Sequence, residues 1–120
     1  MTLQLADRRI LIVEDEMIIA MMIEDLLADL NCRVVAIVAR SEEALIAIAK
    51  HAIDAAILDL NLSGQRSDSV ADALAARSIP FVFSTGYGEQ GVKPEYRDRP
   101  ILKKPFRITD LEKVLNSLFV

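Results

Sequence analysis

Short apolar runs alternate with longer amphipathic stretches along this 120-residue chain. A continuous apolar run of about five residues is typical of a strand that is buried on both faces of a parallel sheet. The sequence predicts five such strands, at residues 9–13, 33–38, 55–58, 81–84 and 101–103.

Helical patterns fill most of the segments between these runs. Residues 87–100 contain two glycines and two prolines, so at most one short helix fits there. In the final segment, Thr109 and Glu112 have the spacing of a capping box. The predicted helices cover residues 17–30, 41 to about 51, 68 or 69 to about 77, and 109 onward.

The regular alternation of strands and helices predicts an α/β fold, a parallel sheet with helices on both faces. The length is that of one domain, so we expect residues 1–120 to form a single unit. No internal repeat, linker or low-complexity tract interrupts the pattern.

Composition and charge narrow the range of functions. The net charge of −4 and the pI near 4.9 argue against nucleic acid as the main partner. The single cysteine excludes an internal disulfide and favours a reducing cytoplasm. No signal peptide and no apolar run of about 20 residues is visible, so we expect no contact with a membrane.

Polar residues that could bind a ligand or take part in a reaction follow the predicted strands. The carboxyl ends of parallel strands meet at one edge of a sheet, where α/β proteins bind ligands. Three carboxylates that lie close together there repel one another and favour a bound cation, and an all-oxygen site suits Mg²⁺. Acids, a hydroxyl and a lysine together indicate phosphoryl transfer onto a carboxylate. The residues concerned are Glu14, Asp15, Asp59, Asn61, Thr85 and either Lys103 or Lys104.

Four motifs in this order resemble the receiver domain of two-component response regulators. They are Val13-Glu14-Asp15, Leu58-Asp59-Leu60-Asn61, Ser84-Thr85-Gly86 and Lys104-Pro105-Phe106. The resemblance covers the whole chain and implies a doubly wound, flavodoxin-like fold with strand order 2-1-3-4-5 and a short or absent fourth helix. It implies a stand-alone receiver without an output domain, which is a phosphorylatable binding module rather than a turnover enzyme.

The same resemblance implies a role for each matched residue. Asp59 is expected to accept the phosphoryl group, and Thr85 and Lys104 to contact it. Asp15 and Asp59 are expected to bind Mg²⁺, with Glu14 nearby or acting through water and Asn61 offering its backbone carbonyl. Lys104 is preferred to Lys103 because the family's lysine directly precedes a proline, here Pro105 in an expected cis peptide.

The implied partners are proteins. A sensor histidine kinase or a histidine phosphotransfer protein is the expected phosphoryl donor, and a downstream protein effector is the expected reader. Met17, Ile18, Met21 and Met22 make the first helix apolar nearly all round, which indicates either burial on both faces or a docking surface for the donor.

Three features depart from the common receiver pattern. Ile101 stands where receivers usually carry an aromatic switch residue, and Leu62-Ser63-Gly64 replaces a proline-bearing loop. Gly86 stands where receivers usually carry an alanine after the threonine, and the stretch Phe83-Ser84-Thr85-Gly86-Tyr87-Gly88 resembles a Phe-x-Thr-Gly subfamily of single-domain receivers. We therefore expect signalling to proceed through ordering of loop 86–94 when Thr85 engages phosphate.

Other interpretations remain open. Glu14 and Asp15 are also suitable to cap the following helix. A phosphatase with an aspartyl nucleophile is an enzymatic alternative, although its Asp-x-Asp motif follows the first strand. A pseudo-receiver that binds partners without phosphate is a structural alternative, and the complete set of Asp15, Asp59, Thr85 and Lys104 argues against it.

Overall fold

The computed structural model describes residues 3–62, 65–86 and 92–119. In this part of the chain, the main sheet has five strands and α-helices follow four of them. The strands are β1 (Arg9–Val13), β2 (Arg33–Val38), β3 (Ala55–Asp59), β4 (Phe81–Thr85) and β5 (Ile101–Lys103). The helices are α1 (Met17–Asp29), α2 (Ser41–Lys50), α3 (Asp68–Ala76) and α4 (Ile108–Leu118).

All neighbouring strands of this sheet are parallel, in the order β2-β1-β3-β4-β5. The α/β class, the strand order and the doubly wound architecture predicted from the sequence are therefore confirmed. The chain reverses its winding direction between β1 and β3, and in such sheets the carboxyl ends of the strands at this point form a crevice for ligands.

The sheet separates two hydrophobic cores. Leu11, Leu58 and Phe83 face α2 and α3, whereas Ile12, Ile57 and Val82 face α1 and α4. Since side chains alternate between the faces of a strand, both faces of β1, β3 and β4 require apolar residues. This double burial explains the continuous apolar runs in the sequence.

Two local details differ from the sequence prediction. Residues 61–62 and 65–66, expected to be plain loop, form a two-residue antiparallel ladder. The last helix begins at Ile108, and Asp110 accepts a hydrogen bond from the backbone N–H of Arg107 at 2.9 Å. The N-cap is therefore Arg107 with Asp110 as its partner, and the prediction that Thr109 opens the helix as the first residue of a capping box is wrong, because Thr109 lies inside the first turn.

The described part of the connection between β4 and β5 contains little helix. Residues 94–96 form a single 3₁₀ turn, which agrees with the prediction of at most one short helix. Most of the glycine-rich loop assigned to switching, residues 87–91, lies outside the described residues. None of the described helices has the length and hydropathy of a membrane span.

Candidate functional site

Strand register brings the predicted site residues to one edge of the sheet. Val13 pairs with Leu58, so Glu14 continues β1 beside Asp59 at the end of β3. Asp59 pairs in turn with Ser84 on β4. Thr85 pairs with Lys103, and the backbone N–H of Lys104 donates to the Thr85 carbonyl at 2.8 Å. Four strands thus contribute to one cluster.

Three carboxylates form the acidic part of this cluster. One oxygen each of Glu14, Asp15 and Asp59 lies within 4.8 Å of the other two. Glu14 and Asp59 are buried and Asp15 is partly exposed, so the group opens to solvent on the Asp15 side. Carboxylate oxygens at this spacing are a suitable donor set for Mg²⁺, which keeps several waters and uses one or two carboxylates.

Lys104 supplies the positive charge among these carboxylates. Its Nζ lies 2.7 Å from Oε1 of Glu14 and 3.2 Å from Oδ2 of Asp59. The neighbouring Lys103 is exposed on the surface. The peptide between Lys104 and Pro105 is cis, as expected. Of the two candidate lysines, only Lys104 therefore contacts the acidic cluster.

Burial and charge shift the titration of both partners in this ion pair. Burial raises the pKa of Glu14 to about 7, the nearby Asp59 carboxylate adds to the rise, and Lys104 opposes it. Burial lowers the pKa of Lys104, but the Glu14 and Asp59 carboxylates outweigh this effect and the pKa is raised overall. Lys104 is therefore a fixed positive charge, whereas Glu14 can take up a proton near neutral pH.

The backbone of Asn61 is oriented toward the carboxylates. Its N–H donates to Oδ1 of Asp59 at 3.1 Å, although Arg66 is its partner in the short ladder. Asn61 and Arg66 are therefore a non-hydrogen-bonded pair. The N–H and C=O of one strand residue point to the same side, so the Asn61 carbonyl faces away from Arg66 and is suitable as a metal ligand.

The end of β4 is polar and buried. Thr85 is 3% exposed, and Ser84 beside it is 1% exposed. The hydroxyl of Ser84 has no hydrogen-bond partner among the described residues. Gly86 is exposed, and a methyl group at its Cα would meet no atom of the described residues within 4 Å. In this part of the chain, open space thus adjoins the predicted phosphate contact.

The geometry does not support the view that Glu14 only caps α1. Its carboxylate does accept the Glu16 N–H at 3.2 Å, but the cap residue Glu16 makes no side-chain cap and Glu14 itself is buried against Lys104. The sequence placed Glu14 near the metal and at the same sheet edge as Lys104, but it did not pair the two side chains, which the structure does.

The family model "Response regulator receiver domain" matches residues 10–116 of this chain. The chain belongs to this family. Its motifs, strand order and clustered acidic residues are thus those of a receiver domain.

Solved structures agree with this assignment. SdrG from Sphingomonas melonis Fr1 is 50% identical, with a TM-score of 0.86 over 95% of this chain and 98% of that one. The receiver domain of PhyR from Erythrobacter litoralis is 28% identical, with a TM-score of 0.83 over 97% and 92%. Among curated proteins, none matches the chain.

A third structure contains a metal ion. The receiver domain of the sensor histidine kinase PA1611 from Pseudomonas aeruginosa PAO1 has magnesium coordinated in its active-site cleft. It is 27% identical to this chain, with a TM-score of 0.79 over 94% of this chain and 98% of that one.

The receiver lacks an aromatic residue at Ile101, but it has a buried aromatic nearby. Tyr96 is 7% exposed, its ring is 5.6 Å from that of Phe81, and its hydroxyl donates to Asp72 on α3. Asp72 raises the pKa of Tyr96 to about 12. The sequence prediction missed this residue, because it lies in a segment rich in glycine and proline.

Proposed function

We propose that this chain is a single-domain response regulator that accepts a phosphoryl group on Asp59 in a Mg²⁺-dependent reaction. The observation that carries the proposal is the contact of Lys104 with Asp59, which is one of three clustered carboxylates. Lysine as a point charge is suited to hold a carboxylate in the free state and a phosphoryl group in the modified state.

Phosphorylation forms one bond and breaks one. An oxygen of Asp59 attacks the phosphorus of a phosphohistidine, and the phosphorus–nitrogen bond breaks with its electron pair left on the imidazole. Lys104 stays near the new acyl phosphate and offsets its negative charge. Thr85, the last residue of β4, would donate its hydroxyl to a phosphoryl oxygen. Hydrolysis then returns the Asp59 carboxylate and inorganic phosphate.

The acidic cluster fits a resident magnesium ion. Asp15, Asp59 and the backbone carbonyl of Asn61 would hold it, with Glu14 nearby or acting through water. When bound, Mg²⁺ neutralises charge on the phosphoryl oxygens. The domain assists its own modification in this way and is not a turnover enzyme.

The exposed face of α1 supports a protein as the phosphoryl donor. Met17, Ile18 and Met21 are 63%, 84% and 54% exposed, and α1 begins two residues after Asp15. Asp15 clusters with the phosphoacceptor Asp59, and an apolar strip of this kind beside the cluster is suited to receive a helical partner. We infer that a sensor histidine kinase or a histidine phosphotransfer protein docks there, in the cytoplasm, and that a downstream protein effector reads the modified state.

Intact-mass measurement with acetyl phosphate and Mg²⁺ tests the proposal. The protein should gain the mass of one phosphoryl group, and the gain should disappear in Asp59→Ala and with EDTA. Asp98→Ala, which changes an exposed aspartate, is the matched control and should label normally. A folded wild-type protein that gains no mass would favour the pseudo-receiver, whereas rapid turnover of small phosphoesters would favour the phosphatase.

A further inference from the structure

Ser67 lies seven residues after Leu60 and holds its backbone carbonyl. The Ser67 N–H donates to the Leu60 carbonyl oxygen at 3.2 Å, and the Ser67 hydroxyl donates to the same oxygen at 3.1 Å. Ser67 is 1% exposed. The first bond continues the short antiparallel ladder, whereas the second is a side-chain contact that backbone pairing does not require.

The carbonyl that Ser67 holds belongs to the peptide that contacts the phosphoacceptor. The Leu60 C=O and the Asn61 N–H are the two ends of one planar peptide and point in opposite directions. The Asn61 N–H donates to Oδ1 of Asp59 at 3.1 Å. The direction of the Leu60 carbonyl therefore fixes the direction of the N–H that reaches Asp59.

We propose that Ser67 is a positioning residue for the phosphoacceptor: its hydroxyl fixes the peptide between Leu60 and Asn61 so that the Asn61 N–H holds Oδ1 of Asp59. This leaves Oδ2 of Asp59 facing Lys104, at 3.2 Å. The two oxygens of the carboxylate thus have different partners before any phosphoryl donor arrives. The inference rests on the proposed phosphorylation of Asp59.

The contact that the Ser67 hydroxyl makes supports a role for Ser67 beyond capping α3. Ser67 is the N-cap residue of α3, where a serine normally accepts a hydrogen bond from the N–H of the second or third helical residue. Here its side chain makes no such cap, and its backbone has φ −95° and ψ 24° instead of the usual extended conformation. The hydroxyl is directed to the Leu60 carbonyl oxygen instead.

A second backbone contact stabilises the same region. The Leu60 N–H donates to the carbonyl of Ser84 at 3.1 Å, which joins the residue after Asp59 to the residue before Thr85. Both backbone groups of Leu60 are therefore engaged. A hydrogen bond to the carbonyl of an amide also strengthens the N–H at its other end as a donor. The Ser67 hydroxyl thus acts on both the direction and the strength of the contact to Asp59.

The test compares Ser67→Ala with Ser67→Thr, which keeps the hydroxyl. Ser69→Ala is the matched control, because Ser69 is an exposed serine in the first turn of the same helix. Phosphorylation by acetyl phosphate with Mg²⁺ is followed at increasing donor concentration. We expect Ser67→Ala to lower the maximal rate about three- to ten-fold, the effect of one lost hydrogen bond. Ser67→Thr should retain most of the rate and Ser69→Ala all of it.

A spectroscopic measurement separates positioning from loss of stability. The ¹H–¹⁵N spectrum of the unphosphorylated protein should show the Asn61 amide proton shifted upfield in Ser67→Ala, with no shift in Ser69→Ala. If the Asn61 resonance and the maximal rate are both unchanged in folded Ser67→Ala, the inference is wrong while the proposed function stands. If wild type itself is not phosphorylated, the proposed function fails instead.

Discussion

The Nζ atom of Lys104 lies 2.7 Å from Oε1 of Glu14, and this ion pair closes the acidic cluster from the β5 side. The Lys104 side chain is 16% exposed and that of Glu14 only 1%. A buried carboxylate is costly unless a positive charge compensates it. Lys104 therefore stabilises the free receiver in addition to its proposed contact with the phosphoryl group.

Lys104→Ala is expected to affect both stability and phosphorylation. Loss of the ammonium leaves Glu14 without its countercharge, so the free energy of unfolding in EDTA should fall by about 2 kcal/mol. Phosphorylation by acetyl phosphate should slow about 10- to 100-fold, since a charge-assisted contact is lost. Urea denaturation and intact-mass time courses measure the two effects. Lys103→Ala, with its exposed side chain, should match wild type in both.

Glu14 makes the stability of the metal-free protein depend on pH. Its ordinary pKa is 4.5 and its pKa in the folded chain is about 7, so between these values the folded chain retains a proton that the unfolded chain releases. The free energy of unfolding should therefore fall as the pH rises from about 4.5 to about 7 and then stay level.

Urea denaturation of wild type and Glu14→Gln in EDTA measures this dependence, because titrating groups distant from Glu14 cancel in the difference between the two proteins. The stability advantage of Glu14→Gln should grow between pH 5 and pH 7. Glu24→Gln, which changes an exposed glutamate on α1, should show a constant difference from wild type. A constant difference for Glu14→Gln as well would contradict the raised pKa.

Asp15 provides the solvent-facing carboxylate of the cluster, so its removal should weaken Mg²⁺ binding. We expect Asp15→Asn to reduce the affinity about ten-fold, or about 1.4 kcal/mol. Calorimetric titration with Mg²⁺ measures the affinity, and the increase in melting temperature with added Mg²⁺ should diminish in parallel. Asp25→Asn, on the exposed side of α1, is the control. Equal affinities in all three proteins would place the ion elsewhere.

Local patterns in the sequence were sufficient to predict the strands of the sheet and most of the site residues. The runs at β1, β3 and β4 are continuous because both faces of each strand are buried, so their positions could be predicted closely. The site residues follow these strands directly, and topology alone brings Asp15, Asp59 and Lys104 to one edge.

The features that sequence analysis missed depend on contacts between distant segments. Ser67 has the appearance of an ordinary helix cap, and only the ladder formed by residues 61–62 and 65–66 brings it to the Leu60 carbonyl. Tyr96 is buried because Phe81 and Phe83 cover its ring. At α4, the helix begins one residue before Thr109, so Asp110 and not Glu112 accepts the hydrogen bond from the backbone of the N-cap residue, Arg107.

The exposed face of α1 gives the last prediction. Met21 is 54% exposed, whereas the residues of α1 that pack on the sheet, Ala20, Ile23 and Leu27, are fully buried. A charge at Met21 therefore leaves the core intact and disrupts only an apolar contact made by a partner. Met21→Glu should slow phosphotransfer from a phosphohistidine donor protein about ten-fold or more and leave labelling by acetyl phosphate unchanged.

Ile46→Glu is the matched control, because Ile46 is 65% exposed on α2, across the sheet from α1. Equal slowing with both donors in Met21→Glu would indicate damage to the site, and equal slowing by both variants with the donor protein would place docking elsewhere.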